Sequence, residues 1–210
     1  GQPPPPFTAR RRGGAVAKRE RIMIAVPIIG GRIAAGLATF IAGAAEANFA
    51  PNCPYEFVTN FKYGRRGVAY ARNCIVGDFL ASGASRLWFF DYDCVPKPNI
   101  FGLLGVEGDI VAGIYPAYRW TNDEAKVFYG VFDRVGDGPN DFTLTDLPLD
   151  GDAGIVECGG VMMGATVIKR EVLQDRRMWL VADDERTPRG DIAAPLFREL
   201  WTPYGKQVGS

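Results

Sequence analysis

LWFFDYD, residues 87–93, places four large apolar residues directly before two aspartates, and Pro96 follows soon after. An apolar run without alternation is typical of a central strand in a parallel sheet, because helices cover both faces of such a strand. Ligands of open α/β sheets bind beside the carboxyl ends of the strands. Asp91 and Asp93 are therefore predicted to lie where a ligand binds.

The spacing of the two aspartates predicts a cation site if the strand continues through them. Alternate side chains of a strand share a face, so Asp91 and Asp93 would point to the same side with Cα atoms about 6.5–7 Å apart. Two carboxylates suit Mg²⁺ or a similar ion, which binds one or two carboxylates, water and substrate phosphates. The alternative is that both are exposed turn residues that end the strand.

The sequence around this run predicts an α/β fold with a mostly parallel central sheet flanked by helices. Predicted strands lie at residues 22–26, 55–60, 87–90 and 109–115, and predicted helices at 32–47, 68–82 (ending at Gly83), 170–176 and 191–200. Short strand-like runs at 127–132, 142–147, 155–158 and 161–168 are separated by turn residues. They predict an antiparallel extension of the sheet.

The composition predicts a single globular domain at residues 22–210, preceded by a Pro-rich and basic arm at 1–21. The chain has 210 residues, 47% of them hydrophobic, and 24 basic against 24 acidic residues. This balance of charge does not favour polyanion binding by the whole molecule. The arm either contacts nucleic acid, acidic lipid or a partner, or is a solvated tail, which is the commoner role of charged runs.

The chain contains no histidine, which excludes Ser-His-Asp and Cys-His catalysis. Its four cysteines form no C-x-x-C pair and are interpreted as reduced thiols rather than a zinc site. No apolar run approaches the ~20 residues of a membrane helix, and the first residues lack an apolar signal core. We therefore expect a cytoplasmic protein without a membrane span.

Five segments together resemble small GT-A glycosyltransferases, the family-2-like enzymes of phages and bacteria that use nucleotide-sugars. They are LWFFDYD, AYARNCIV (69–76), DIVAGIYP (109–116), ECGGVMMGATVIKREVL (157–173) and RGDIAAPLFRELWTPYG (189–205). The resemblance covers about residues 22–205. It rests on the order of several motifs, and it implies a GT-A-like (Rossmann-like) fold.

The resemblance implies a role for each matching residue. Asp91 lies near the ribose of the donor, and Asp93, together with Asp91, binds the Mn²⁺ or Mg²⁺ that holds the diphosphate. Pro27 closes the first strand where the family holds the base. Arg72 approaches the base or the diphosphate, or is an ordinary surface or ion-paired helix arginine.

Asp191 matches the position of the catalytic base in inverting members of the family. An N-cap of the following helix is the alternative role for this residue. The chain departs from the family's usual pattern in two ways: Gly190 replaces the first residue of a Glu-Asp pair, and the C-terminal metal-binding histidine is missing.

The resemblance therefore predicts metal-dependent transfer of a sugar, with inversion, from a UDP- or GDP-sugar to a hydroxyl acceptor. The acceptor is a protein, a glycan or a modified base of phage DNA. Two alternatives stay open: a non-catalytic nucleotide-sugar-binding or assembly module, and a nucleotidyltransferase. The latter would need a Gly-rich phosphate loop, for which the chain offers only Gly30-Gly31-Arg32.

Overall fold

In a computed structural model of the chain, residues 18–64, 67–121, 124–136, 142–144, 154–175, 200–201 and 207–208 are described. The strands are β1 (Glu20–Ile28), β2 (Tyr55–Tyr63), β3 (Arg86–Phe90), β4 (Ile110–Ala112), β5 (Pro116–Thr121), β6 (Glu124–Tyr129), β7 (Val131–Arg134), β8 (Phe142–Leu144), β9 (Gly160–Val161), β10 (Ala165–Lys169), β11 (Leu200–Trp201) and β12 (Gln207–Val208). The helices are α1 (Ala35–Ala47), α2 (Val68–Ser82) and α3 (Arg170–Gln174), with a 3₁₀ helix at Pro98–Gly105.

The main sheet has the strand order β2-β1-β3-β10-β4. β1 runs parallel to β2 and β3, whereas β10 is antiparallel to both β3 and β4. Four of its five strands therefore share one direction, which confirms the prediction of an α/β fold with a mostly parallel sheet. The carboxyl ends of β1, β2, β3 and β4 lie at the same edge of the sheet.

The predicted antiparallel extension is wrong in its position. The antiparallel strand β10 lies inside the sheet, beside β3, and the other short strands form separate sheets, β8-β7-β9, β5-β6 and β11-β12. The predicted run at 161–168 is divided because the chain turns at residues 163–164, and residues 155–158 form no strand. The partner that a short strand pairs with depends on long-range packing, which local sequence does not encode.

The middle strand β3 is buried on both faces, as its uninterrupted apolar sequence predicts. Trp88 and Phe90 pack in the core on the α1 side, and Leu87 and Phe89 pack against α2 on the other side. All four side chains have 0% exposure. The core thus holds β3 in place, and with it the start of the acidic segment that follows, residues 91–93.

The described helices match the prediction, except that α1 begins later and α3 ends earlier, at Gln174. α2 has the predicted bounds, and Gly83 ends it in the left-handed region at φ +74°. α1 begins at Ala35 instead of residue 32, because Gly30 and Gly31 form a turn with positive φ. The N–H of Ala34 then donates to the Tyr92 carbonyl (2.7 Å), which ties the start of α1 to the acidic segment after β3.

Arg170 at the start of α3 holds the end of α2 in place. Its guanidinium donates to the carbonyls of Phe79 (2.8 Å), Leu80 (3.1 Å) and Ala84 (2.6 Å). The same group lies 4.6 Å from the centre of the Phe79 ring. A cation at this position also opposes the partial negative charge of a helix C-terminus.

Replacing Arg170 with methionine is expected to lower the free energy of unfolding by about 2 kcal/mol, because several charge-assisted hydrogen bonds are lost and buried carbonyls are left without donors. Lys169→Met is the matched control, since the Lys169 side chain forms an exposed ion pair with Asp109 (3.1 Å). Its expected cost is below about 0.5 kcal/mol. Urea unfolding of both variants measures the difference, and equal stabilities would contradict this role of Arg170.

Among the described residues, no helix combines the length and apolar character needed to cross a bilayer.

Candidate functional site

The two aspartates lie at the edge of the sheet where the parallel strands end, as predicted, but in a turn rather than in the strand. β3 ends at Phe90, and the N–H of Cys94 donates to the Asp91 carbonyl (3.0 Å), which closes a turn over residues 91–94. The expectation that both side chains share one strand face is therefore wrong. The Asp91 N–H still donates to the Gly164 carbonyl (3.1 Å), so the sheet pairing with the segment before β10 extends one residue past β3.

Asp91 forms an ion pair with Arg72 of α2. The Arg72 Nη2 donates to Asp91 Oδ1 at 2.7 Å. The Arg72 side chain is 6% exposed and that of Asp91 is 26% exposed, so the arginine charge is buried and the carboxylate compensates it. The structure thus brings together two predicted site residues, and it also matches the alternative interpretation of Arg72 as an ion-paired helix arginine.

Asp93 differs from Asp91 in its surroundings. It is exposed at the turn, whereas Asp91 is half-buried. Burial is the largest cause that raises the pKa of the Cys94 thiol, to about 12. The negative charges of Asp91 and Asp93 raise it further, so both carboxylates act on this thiol. The two aspartates are therefore within electrostatic reach of one thiol, which makes residues 91–94 a small negatively charged site.

Tyr115, after β4, closes the site from the other side. The Gly164 N–H donates to its phenol oxygen (3.0 Å). Burial, and next the charge of Asp91, raise the pKa of Tyr115 well above its usual range. A Cβ at Gly164 would lie 2.3 Å from Tyr115 Cζ, so only glycine permits this contact. The phenol therefore keeps its proton at neutral pH beside the carboxylate of Asp91.

Cys94 was not predicted from the sequence to belong to the site. For the aromatic residues 115, 118 and 120, which follow the fourth predicted strand, the sequence allows stacking on a sugar or a base, with ordinary loop packing as the commoner alternative. Their burial and electrostatic surroundings depend on tertiary packing. The only available signal for Cys94 was its position directly after the acidic pair. The side chains of residues 118–120 lie outside the described part of the structure.

Because its pKa is raised to about 12, Cys94 is expected to react with thiol reagents at pH 8 about 1000-fold more slowly than a thiol of ordinary pKa. Only the thiolate reacts, and each unit of pKa lowers its fraction about tenfold. Mass-spectrometric labelling rates measure this, with the exposed Cys158 as an internal comparison. Labelling of Cys94 as fast as Cys158 would contradict the buried, negatively charged surroundings of the Cys94 thiol.

A cleft opens at the carboxyl ends of β1 and β2, on the same edge of the sheet as this turn. It has a volume of about 540 Å³ and is lined by Ile28, Gly30, Gly31, Tyr63 and Gly64. The Gly64 N–H donates to the Ile28 carbonyl (2.8 Å), which continues the β1–β2 pairing to the cleft. Pro27, the predicted base-site residue, is buried in β1 opposite Lys62, one residue before the cleft lining.

The remaining predicted residue, Asp191, and the helix predicted at 191–200 lie outside the described residues, except that Leu200 belongs to β11. In the described ranges, no group of three or more His, Cys, Asp or Glu side chains is arranged to hold a metal ion. A cation at residues 91–94 would therefore need oxygen ligands from a substrate or from water.

No protein-family model and no curated protein matches this chain. Among solved structures, the chain is similar to A197 from STIV, known from a crystal structure, with 19% sequence identity over 73% of this chain and 67% of that chain. The TM-score of 0.38 is too low to establish a shared fold.

Proposed function

We propose that this chain is a metal-dependent glycosyltransferase with a GT-A-like fold, which moves a sugar from a UDP- or GDP-sugar to a hydroxyl acceptor. One observation carries the proposal: the buried Arg72 holds Asp91 at the carboxyl end of the middle strand, beside the exposed Asp93, on the same edge of the sheet as the cleft at the end of β1. This is the part of an open α/β sheet where nucleotides bind.

The cleft has the size and chemistry for the nucleoside part of a donor. Its volume of about 540 Å³ lies within the range of small-molecule sites. Tyr63 is 63% exposed and offers an aromatic face for a base. A Cβ at Gly30 or Gly31 would meet no atom within 4 Å, so these two glycines leave the backbone open to close approach.

The residues of the turn fit a divalent cation that is shared with substrate. Asp93 is exposed and in position to act as a ligand, while Asp91 gives one oxygen to Arg72 and keeps the second. Mg²⁺ and Mn²⁺ favour such sites, in which one or two carboxylates are completed by phosphate oxygens and water. When bound, the cation would offset the negative charge that develops on the departing nucleoside diphosphate.

In this proposal each residue of the site has one role. Asp91, fixed by Arg72, orients the ribose, and Asp93 holds the cation beside the diphosphate. Tyr115 keeps its proton and closes the site next to Asp91. Asp191 takes the proton of the acceptor hydroxyl in an inverting reaction, in which the acceptor attacks the face opposite the leaving group.

The ion pair between Asp91 and Arg72 favours a second candidate function, that of a non-catalytic module that binds a nucleotide-sugar. With one Asp91 oxygen occupied, cation binding depends mainly on Asp93, and Gly190 stands where the resemblance calls for a glutamate. Such a module would bind the donor without turning it over.

The test is a thermal-shift screen of UDP-, GDP-, TDP- and CDP-sugars with and without Mn²⁺, followed by a donor hydrolysis assay. A ligand at about 100 times its Kd stabilises the folded state by about 2.7 kcal/mol, which corresponds to roughly 5–10 °C in a domain of this size. We expect this shift with Mn²⁺ and one class of donor, and slow release of the nucleoside diphosphate.

Asp93→Asn is expected to abolish the Mn²⁺-dependent part of the shift, whereas Glu107→Gln, which alters another exposed carboxylate, is expected to retain it. Saturable binding without any release of nucleotide would favour the binding module. Release of pyrophosphate from a nucleoside triphosphate would favour the nucleotidyltransferase. Absence of any shift with every donor would overturn the proposal.

A further inference from the structure

The outer edge of β2 is partly closed and partly open. β2 is the first strand of the sheet, so only one of its edges is paired, to β1. The even-numbered positions face β1, because the Pro54 carbonyl accepts from Glu20 and the Gly64 N–H donates to Ile28. The register between β1 and β2 is unbroken, so this alternation holds along the whole strand. The backbone N–H and C=O groups of the odd-numbered positions therefore point away from β1, toward the outer edge.

Two outward positions at the start of β2 are already occupied by side chains. Asn48 bonds Phe57 twice, accepting from its N–H (2.7 Å) and donating to its carbonyl (2.8 Å), as a neighbouring strand would. The Cys53 thiol donates to the Tyr55 carbonyl (3.3 Å). These contacts protect the first half of the edge against pairing with another chain. Edge strands of natural proteins commonly have such protection.

The second half of the edge has no such protection among the described contacts. Thr59, Phe61 and Tyr63 direct their N–H and C=O groups outward, and their side chains lie on the same face as Phe57, which packs on the α1 side. Phe61 is 41% exposed and Tyr63 is 63% exposed. The open segment therefore combines unpaired backbone groups with exposed aromatic side chains.

We propose that this segment, Thr59–Tyr63, pairs with the same segment of a second copy of the chain, antiparallel and about a two-fold axis at Phe61. In this register Thr59 faces Tyr63 of the second copy, and Phe61 faces its own counterpart. Each of these facing pairs exchanges two N–H···O=C bonds, so every outward group of the open segment is used. The contacts of Asn48 and Cys53 stay intact.

The side chains are complementary to themselves in this register. On one face the Phe61 rings meet across the axis, and each Tyr63 lies opposite a β-branched Thr59, both favourable cross-strand pairs. On the other face Asn60 lies opposite Lys62 of the second copy, and the Lys62 charge is already compensated by Asp78 (2.7 Å). The two Lys62 side chains are diagonal neighbours in this register, so no like charges lie directly opposite each other.

The interface is small, so we expect a weak and concentration-dependent dimer with a Kd of about 1 μM or weaker. Sedimentation velocity of the full chain over a concentration series measures it. Phe61→Lys places two ammonium groups across the axis and is expected to weaken dimerisation about tenfold or more. Ile110→Lys is the matched control, because Ile110 is 48% exposed on β4, at the opposite edge of the sheet, and it is expected to leave the Kd unchanged.

A crosslinking experiment tests the register independently of any effect of Phe61→Lys on folding. In a Cys158→Ser background, Phe61→Cys places the two new cysteines with Cα atoms about 5.5 Å apart, so that their thiols are within reach of a short bifunctional thiol reagent. Thr59→Cys leaves its thiols more than about 13 Å apart. We expect rapid crosslinking only for Phe61→Cys. A chain that stays monomeric at about 200 μM, or equal crosslinking at both positions, would overturn the proposal.

Discussion

Replacing Asp91 with alanine is expected to lower the free energy of unfolding by about 3 kcal/mol, because the substitution leaves the buried Arg72 charge without the carboxylate that compensates it. Asp93→Ala is expected to change stability by less than about 0.5 kcal/mol, since the Asp93 side chain is exposed. Urea unfolding followed by circular dichroism measures both variants. The two neighbouring aspartates thus serve as matched controls for each other.

A double variant separates the buried charge from the loss of packing. Arg72→Met combined with Asp91→Leu removes both charges, and apolar replacement of a buried ion pair is often neutral. We expect the double variant to recover at least half of the stability lost in Asp91→Ala. If Asp91→Ala and Asp93→Ala are equally stable, Asp91 does not compensate a buried charge and the two acids are equivalent turn residues.

Replacing Trp88 with alanine is expected to cost about 4 kcal/mol, because it empties the centre of the core on the α1 side. The indole is fully buried and contacts the rings of Phe40 (5.4 Å between centroids), Phe90 (5.0 Å) and Phe101 (5.8 Å). Loss of this side chain would also loosen β3 immediately before the acidic turn. Thermal or urea unfolding measures the cost.

Trp88→Phe is the informative comparison. Within the described part of the chain, the Trp88 Nε1 is buried and has no hydrogen-bond acceptor. A phenyl ring removes this buried donor and leaves only a modest loss of volume, so the expected cost is about 1 kcal/mol. If Trp88→Phe costs as much as Trp88→Ala, the indole N–H makes a stabilising contact and the stated reason for the difference is wrong.

The central strand was predictable because its signal is local and strong. Four consecutive apolar residues in a strand are buried only where both faces of the sheet are covered. The alternation of strands and helices around them indicates that helices provide this cover. The turn at residues 91–94 was not predictable in the same way, since Asp-Tyr-Asp fits either a strand end or a turn. The backbone hydrogen bond from Cys94 to Asp91 decides it.

The candidate site was predictable in its location but not in its contacts. Arg72 and Asp91 are 19 positions apart in the sequence. For each residue alone, the sequence allowed both a ligand-binding role and an ordinary structural role. Their pairing depends on how α2 packs on the sheet. The roles of Tyr115 and Gly164 depend on β10 being inserted beside β3, a long-range pairing that local patterns do not specify.

In the proposed function, the acidic turn after β3 holds a divalent cation together with a nucleoside diphosphate. The most direct test is a titration of the chain with Mn²⁺, with UDP or GDP present, in which electron paramagnetic resonance reports the free ion. We predict loss of the free Mn²⁺ signal with the unaltered chain beyond what the nucleotide alone binds, and return of that signal with Asp93→Asn. Identical free Mn²⁺ signals for the unaltered chain and Asp93→Asn would contradict the claim.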